Sequence, residues 1–139
     1  MTTHAIYITA SDAEKLRDLI WQAQRTEYRH SAYLQMLSGE LARATIIDEN
    51  NVPPDVITMN TQASLVDVET GEEMIYTLVF PDEADPIQGK ISILAPIGTA
   101  MLGYQVSDEF EWDTPGGIRK IRVEKIIFQP EASNDAPRS

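Results

Sequence analysis

Apolar positions along this chain follow one rule before residue 50 and another after it. Ala13, Leu16, Ile20 and Ala23 recur at spacings of three and four, one stripe of a helix. Leu34, Leu37, Leu41 and Ala44 repeat that spacing, with Ala32 and Tyr33 alongside. Residues 24–31 between them are polar and form the natural tip of a helical hairpin. The two stripes can bury each other in an antiparallel pair. Arms of roughly 15 residues would be ~22 Å long. A capping box opens the first helix: the Ser11 hydroxyl accepts from the Glu14 backbone N–H and the Glu14 side chain reaches back. That helix is expected to run to about residue 26, and Ser31 suits the cap of the second. Residues 4–9 read as a short extended lead-in.

The polar run at 48–55, with Pro53 and Pro54, forbids helix and marks a boundary. Beyond it the pattern is strand-like. Residues 56–59 lead into a strand at 63–68. Residues 69–72 then make a hairpin turn in which Gly71 takes positive φ. Met74, Tyr76, Leu78 and Phe80 alternate with Glu73, Ile75, Thr77 and Val79, giving apolar residues on both faces of an inner strand. Residues 81–86 form a loop. Phe110 and Trp112 share one strand face, residues 114–117 (Thr-Pro-Gly-Gly) make a turn, and a long last strand covers 118–128. Its apolar face shifts from Ile121 and Val123 to Ile126 and Phe128, the signature of a β-bulge near Lys125.

Residues 90–103 combine both periods. Ile91 and Ile93 alternate with Lys90 and Ser92, as in a strand. Pro96 then suits the first position of a short helix, and Gly103 the left-handed position just past it. Ile97, Ala100, Met101 and Leu102 give that helix an apolar face. The expected architecture is α+β: an N-terminal helical hairpin (1–50), then an antiparallel sheet domain with one short helix (51–139).

Composition narrows the function. The 139 residues contain no Cys, which excludes disulfides and thiolate metal sites and suits a reducing compartment. The N-terminus lacks a secretory pattern, and no apolar run approaches the ~20 residues that cross a bilayer. A cytoplasmic protein with no membrane association is therefore expected, as a monomer. A net charge of −11 argues against direct high-affinity nucleic-acid binding. Residues 51–139 carry six basic and fifteen acidic side chains, so this half can be steered toward a basic protein surface.

Catalytic motifs are absent: no phosphate loop, no Gly-x-Ser-x-Gly, no His-Glu-x-x-His. His4 and His30 sit on different elements without a second ligand nearby. Asp82, Glu83 and Asp85 lack the spacing of a calcium loop. Glu109, Glu111 and Asp113 share one strand face, which suits a wet surface or a basic partner. No catalytic residue, cofactor or metal is assigned. At the hairpin tip, Arg25, Glu27, Tyr28, Arg29 and His30 mix charge with an aromatic ring, a composition that binding surfaces favour.

Gly89-Lys-Ile-Ser-Ile-Leu-Ala-Pro-Ile-Gly-Thr-Ala-Met-Leu-Gly103 resembles the C-terminal domain of the Gre transcript-cleavage factors. Ser107-Asp-Glu109 and Thr114-Pro-Gly-Gly117 match further elements of that family in order, over about residues 56–130. Val56-Ile-Thr-Met-Asn60, the short hairpin and Phe128-Gln-Pro-Glu-Ala132 look more like its Rnk branch. The resemblance implies an FKBP-like fold and docking on bacterial RNA polymerase beside the secondary channel. Ala95, Pro96 and Ile97 would touch the polymerase, with Ala95 in place of the family's usual Ser. In Gre factors a long hairpin enters the channel, and acidic residues at its tip help hold a magnesium ion for RNA cleavage. Here the hairpin is short and its tip offers only Glu27. The implied role is a polymerase-binding regulator that does not stimulate cleavage and competes with Gre factors. Two alternatives stand beside it, an FKBP-like prolyl isomerase and an interaction module for another protein.

Overall fold

The computed structural model describes residues 7–26, 31–48, 52–114 and 116–130. The chain opens with strand β1 (Tyr7–Thr9) and helix α1 (Ala10–Ala23), followed by α2 (Ala32–Arg43) and β2 (Thr45–Ile47). The predicted stripe of α1 is buried throughout, as are Leu34, Leu37 and Leu41 of α2. The helices pack on each other, and each buried Leu or Ile contributes about 1.5–3 kcal/mol. At 14 and 12 residues the arms are ~21 and ~18 Å long.

The cap of α1 differs from expectation. Thr9, not Ser11, is the N-cap, and its hydroxyl accepts from the Asp12 N–H at 3.1 Å. The helix begins two residues early because Thr9 holds an extended backbone at the end of β1. It also ends at Ala23, short of residue 26. Ser31 caps α2 as expected, accepting from the Leu34 N–H at 3.4 Å. Strand β2 was not expected. It pairs in parallel with β1, Ile8 opposite Ile46, and closes the base of the hairpin.

The second half builds a five-stranded sheet in the order β5-β4-β3-β7-β6. Its strands are β3 (Gln62–Asp67), β4 (Glu73–Val79), β5 (Lys90–Ser92), β6 (Glu109–Thr114) and β7 (Gly117–Phe128). The hairpin between β3 and β4 turns at Gly71, φ 80°. The bulge in β7 lies where Ser64 faces Lys125 but Leu65 faces Val123, skipping Glu124. A second irregularity skips Ile127.

The sheet is not wholly antiparallel, because β5 runs parallel to β4. Residues 81–88 fold into two 3-10 turns, Pro81–Glu83 and Pro86–Gln88, and return the chain in β4's direction. Residues 56–59 are buried but form no strand beyond an isolated bridge from Val56 to Gln105. The Thr58 N–H donates to the Thr61 hydroxyl at 2.9 Å, and Asn60 turns at φ 67°, so this segment bends before it can extend.

Helix α3 (Pro96–Met101) packs on β6 and against α2. One core runs through both halves, from Leu16, Leu37 and Leu41 to Ile57, Leu65, Met101 and Val123.

Candidate functional site

The link between β5 and α3 is a tightly bonded corner. The Ser92 hydroxyl accepts from the Leu94 N–H at 3.0 Å, and the Ser92 carbonyl from the Ala95 N–H at 2.9 Å. Ala95 is the N-cap of α3 and Pro96 its first residue, but an alanine supplies no side-chain cap. One turn on, the Thr99 hydroxyl donates to the Ile93 carbonyl at 2.6 Å, tying helix to strand end. Gly98 has no room for a side chain: a Cβ there would overlap the Ser92 carbonyl oxygen. Met101 ends the helix, and Gly103 follows at φ 85° with its N–H on the Ile57 carbonyl.

Ala95 and Pro96 are partly exposed, while Ile97 is 4% exposed and belongs to the core. The corner therefore presents two small residues over an apolar anchor of Ile93, Ile97 and Met101.

Of the hairpin-tip residues, Arg25 is described, and Glu27, Tyr28, Arg29 and His30 lie outside the described residues, as does His4. The Arg25 guanidinium sits 4.8 Å from the centre of the Trp21 ring. Trp21 is 58% exposed and was not singled out from the sequence. Its place off the Ala13–Leu16–Ile20–Ala23 stripe was the available signal.

The acidic face of β6 meets basic residues across the ladder, Glu109 opposite Arg122 and Glu111 opposite Lys120. Arg119 pairs with two carboxylates at once. Its Nε donates to Asp67 at 2.7 Å and its Nη2 to Glu72 at 2.7 Å, with the Trp112 ring 5.4 Å away. The Arg119 bond and the N–H groups of Glu69 and Thr70 hold the Asp67 carboxyl below the usual carboxylate range, against the opposing effect of burial. These groups are consumed in holding the turn between β3 and β4. Among the described residues, no three carboxylates or imidazoles converge on a metal-sized site, and no helix is long and apolar enough to cross a membrane.

Comparison with known proteins matches both halves. Residues 52–128 match the family described as transcription elongation factor GreA/GreB, C-term, and residues 4–47 match the Rnk N-terminus. The chain belongs to the Gre factor family, in its Rnk branch. It is 32% identical over 136 residues to the regulator of nucleoside diphosphate kinase of Escherichia coli K12, covering 97% of this chain and 98% of that protein. GreA of Geobacillus kaustophilus is 39% identical over 90 residues, 65% of this chain but 57% of that protein. Among solved structures, the GreA/GreB elongation factor of Nitrosomonas europaea superposes with a TM-score of 0.77 at 36% identity, over 91% of this chain and all of that one. Gfh1 of Thermus thermophilus covers similar shares at a TM-score of 0.50 and 26% identity. This Rnk-branch chain is thus a transcription-elongation-factor-like regulator by descent. Its sheet, with α3 against it, is of the Gre C-terminal type.

Proposed function

We propose that this Rnk-branch chain is a cytoplasmic, cofactor-free monomer that docks on bacterial RNA polymerase beside the secondary channel. It does not stimulate transcript cleavage, and it competes with Gre factors for the site. The hairpin (1–50) and an FKBP-like sheet domain (51–139) act as its two domains. Ala95 and Pro96 make the contact, and Ile97 supports them from behind.

The observation that carries this reading is the pairing of a Gre-type corner with an arm too short and too poor in carboxylate for cleavage. Helix α1 rises only ~21 Å. Residues 24–31 contain one carboxylate, Glu27. A shared magnesium site needs more negative charge than one carboxylate supplies, so no cleavage step is derived through this tip.

Capture of the polymerase from a bacterial lysate by the full chain tests docking. Pro96→Asp should abolish capture without unfolding the protein, because an acidic residue is tolerated at a helix N-terminus. Retained capture would refute the assigned corner. On stalled elongation complexes the chain should leave RNA cleavage unstimulated and should reduce Gre-stimulated cleavage in proportion to its concentration. Direct stimulation would overturn the non-cleaving reading.

A further inference from the structure

Pro96 and Ala100 stand one turn apart on α3, and both are partly exposed. Beyond Ala100 the surface falls into a cleft of about 150 Å³ between α2, α3 and β6. Met36, Glu40, Ala100, Tyr104, Phe110 and Glu111 line it. Its walls are of two kinds. The Tyr104 and Phe110 rings lie with centroids 5.1 Å apart and planes tilted by 35°, and Met36 is 44% exposed beside them. Glu40 from α2 and Glu111 from β6 add carboxylates. Burial, then the charges of Glu40 and Asp108, push the Tyr104 phenol above its ordinary value. Glu40 pairs with Arg43 on its own helix, but Arg43 is 56% exposed, and such surface pairs exchange readily.

We propose that this cleft receives one arginine side chain from the protein surface that docks on the Ala95 and Pro96 corner. The inference rests on the docking reading above and names the chemistry of the partner beside that corner. A planar guanidinium satisfies both kinds of wall at once. It stacks on aromatic faces and forks onto carboxylates, which a lysine ammonium does less well. The volume suits one long side chain and excludes a helix or strand. An apolar side chain would desolvate Glu40 and Glu111 without a counter-charge. The chain's net charge of −11 steers a basic surface toward it.

Two measurements test this, both on the full chain. The first is binding to purified bacterial RNA polymerase. Glu40→Gln and Glu111→Gln should each weaken binding by roughly tenfold and flatten its salt dependence. Arg43→Gln, which removes the internal competitor for Glu40, should tighten it. Glu69→Gln, an exposed carboxylate at the β3–β4 turn, should change nothing. The second uses the chain alone, titrated with N-acetyl-arginine amide or N-acetyl-norleucine amide and followed by the backbone amide resonances of Ala100, Tyr104 and Phe110. Saturable shifts with arginine alone, lost in the Glu40→Gln/Glu111→Gln double variant, are expected. If wild type binds polymerase and the Glu40 and Glu111 variants bind equally well, the cleft proposal fails while docking stands. If wild type does not bind polymerase, docking fails, and the cleft proposal fails with it unless the arginine probe alone moves those resonances.

Discussion

The side-chain amide of Gln129 donates to the Val56 carbonyl at 2.7 Å, across 73 residues of sequence. The same nitrogen donates to the Pro53 carbonyl at 2.8 Å. Gln129 is 3% exposed. The end of β7 is thereby fastened to the segment through which the chain leaves the hairpin and enters the sheet. Nearby, the Val106 N–H donates to the Asp55 carbonyl at 3.0 Å and the Ile57 N–H to the Tyr104 carbonyl at 2.9 Å. A segment that forms no strand beyond the Val56–Gln105 bridge is held by these bonds.

Gln129→Ala should therefore cost about 1–3 kcal/mol, because it takes the donor from the buried Val56 carbonyl, while the Pro53 carbonyl keeps the Val56 N–H at 3.3 Å. Gln129→Glu should cost more at neutral pH, since a carboxylate only accepts and would face two carbonyls. Urea unfolding followed by circular dichroism reads both. A loss below about 1 kcal/mol for the alanine variant would mean that water or a neighbour replaces the amide.

Two glycine-to-alanine changes should move stability in opposite directions. At Gly98 the added Cβ meets the Ser92 carbonyl oxygen, a backbone atom that cannot step aside. Gly98→Ala should push α3 off β5 and destabilise by about 3 kcal/mol or more, as overpacking does at its upper range. At Gly39, inside α2, the nearest atom is a mobile Arg43 nitrogen at 3.5 Å. Gly39→Ala should stabilise by about 0.5–1 kcal/mol through helix propensity. Thermal melts of the two variants check the signs.

What the residues make legible is what repeats locally. The stripe of Ala13, Leu16, Ile20 and Ala23 is a period, and all four are buried. Gly71 and the Pro96-to-Gly103 frame are punctuation, and both hold the backbone that their residue types favour. Even the bulge at Glu124 was visible, because an extra residue moves the apolar set to the neighbouring parity. Strand β2 spans three residues, too few to show a period, whereas β5 shows its alternation through Ile91 and Ile93; that both pair in parallel is written in neither. Their direction is set by intervening turns and helices, not by their own residues. The Gln129 fastening was unreadable for the same reason. At the docking corner, Pro96 was legible as a helix start, but the partition into exposed Ala95 and Pro96 over buried Ile97 depends on how α3 lies on the sheet.

Asp67 gives the chain an acid-sensitive element. Its folded-state pKa is depressed, chiefly by the Arg119 hydrogen bond. A depressed carboxylate contributes stability that is present above its unfolded pKa and lost as pH falls through the folded value. That loss should begin near pH 4, the ordinary range of an aspartate. Asp67→Asn should lower stability at pH 7 and flatten its fall below pH 4. If wild type and Asp67→Asn lose stability in parallel between pH 5 and pH 2.5, other carboxylates govern acid unfolding.

At the start of α1 two residues compete for the cap. The Ser-Asp-Ala-Glu run at 11–14 has the residues of a capping box, yet Thr9 takes the cap. Thr9 is 2% exposed, ends β1 opposite Ile47, and accepts from the Asp12 N–H. Its backbone is already extended at φ −69° and ψ 155°, the conformation an N-cap requires, so the strand hands the chain to the helix without a linker. Ser11 lies inside the helix, where its hydroxyl no longer reaches an uncapped N–H. Thr9→Ala should therefore cost about 1–2 kcal/mol, from the lost cap and from a buried methyl-bearing side chain replaced by a smaller one. Ser11→Ala should be neutral or stabilising by a few tenths of a kcal/mol, since Ala is the better helix former. Thr9→Ser, which keeps the hydroxyl, should recover most of the difference. If Ser11→Ala proves the costlier change in chemical denaturation, the helix begins two residues later in solution and the capping box is in use.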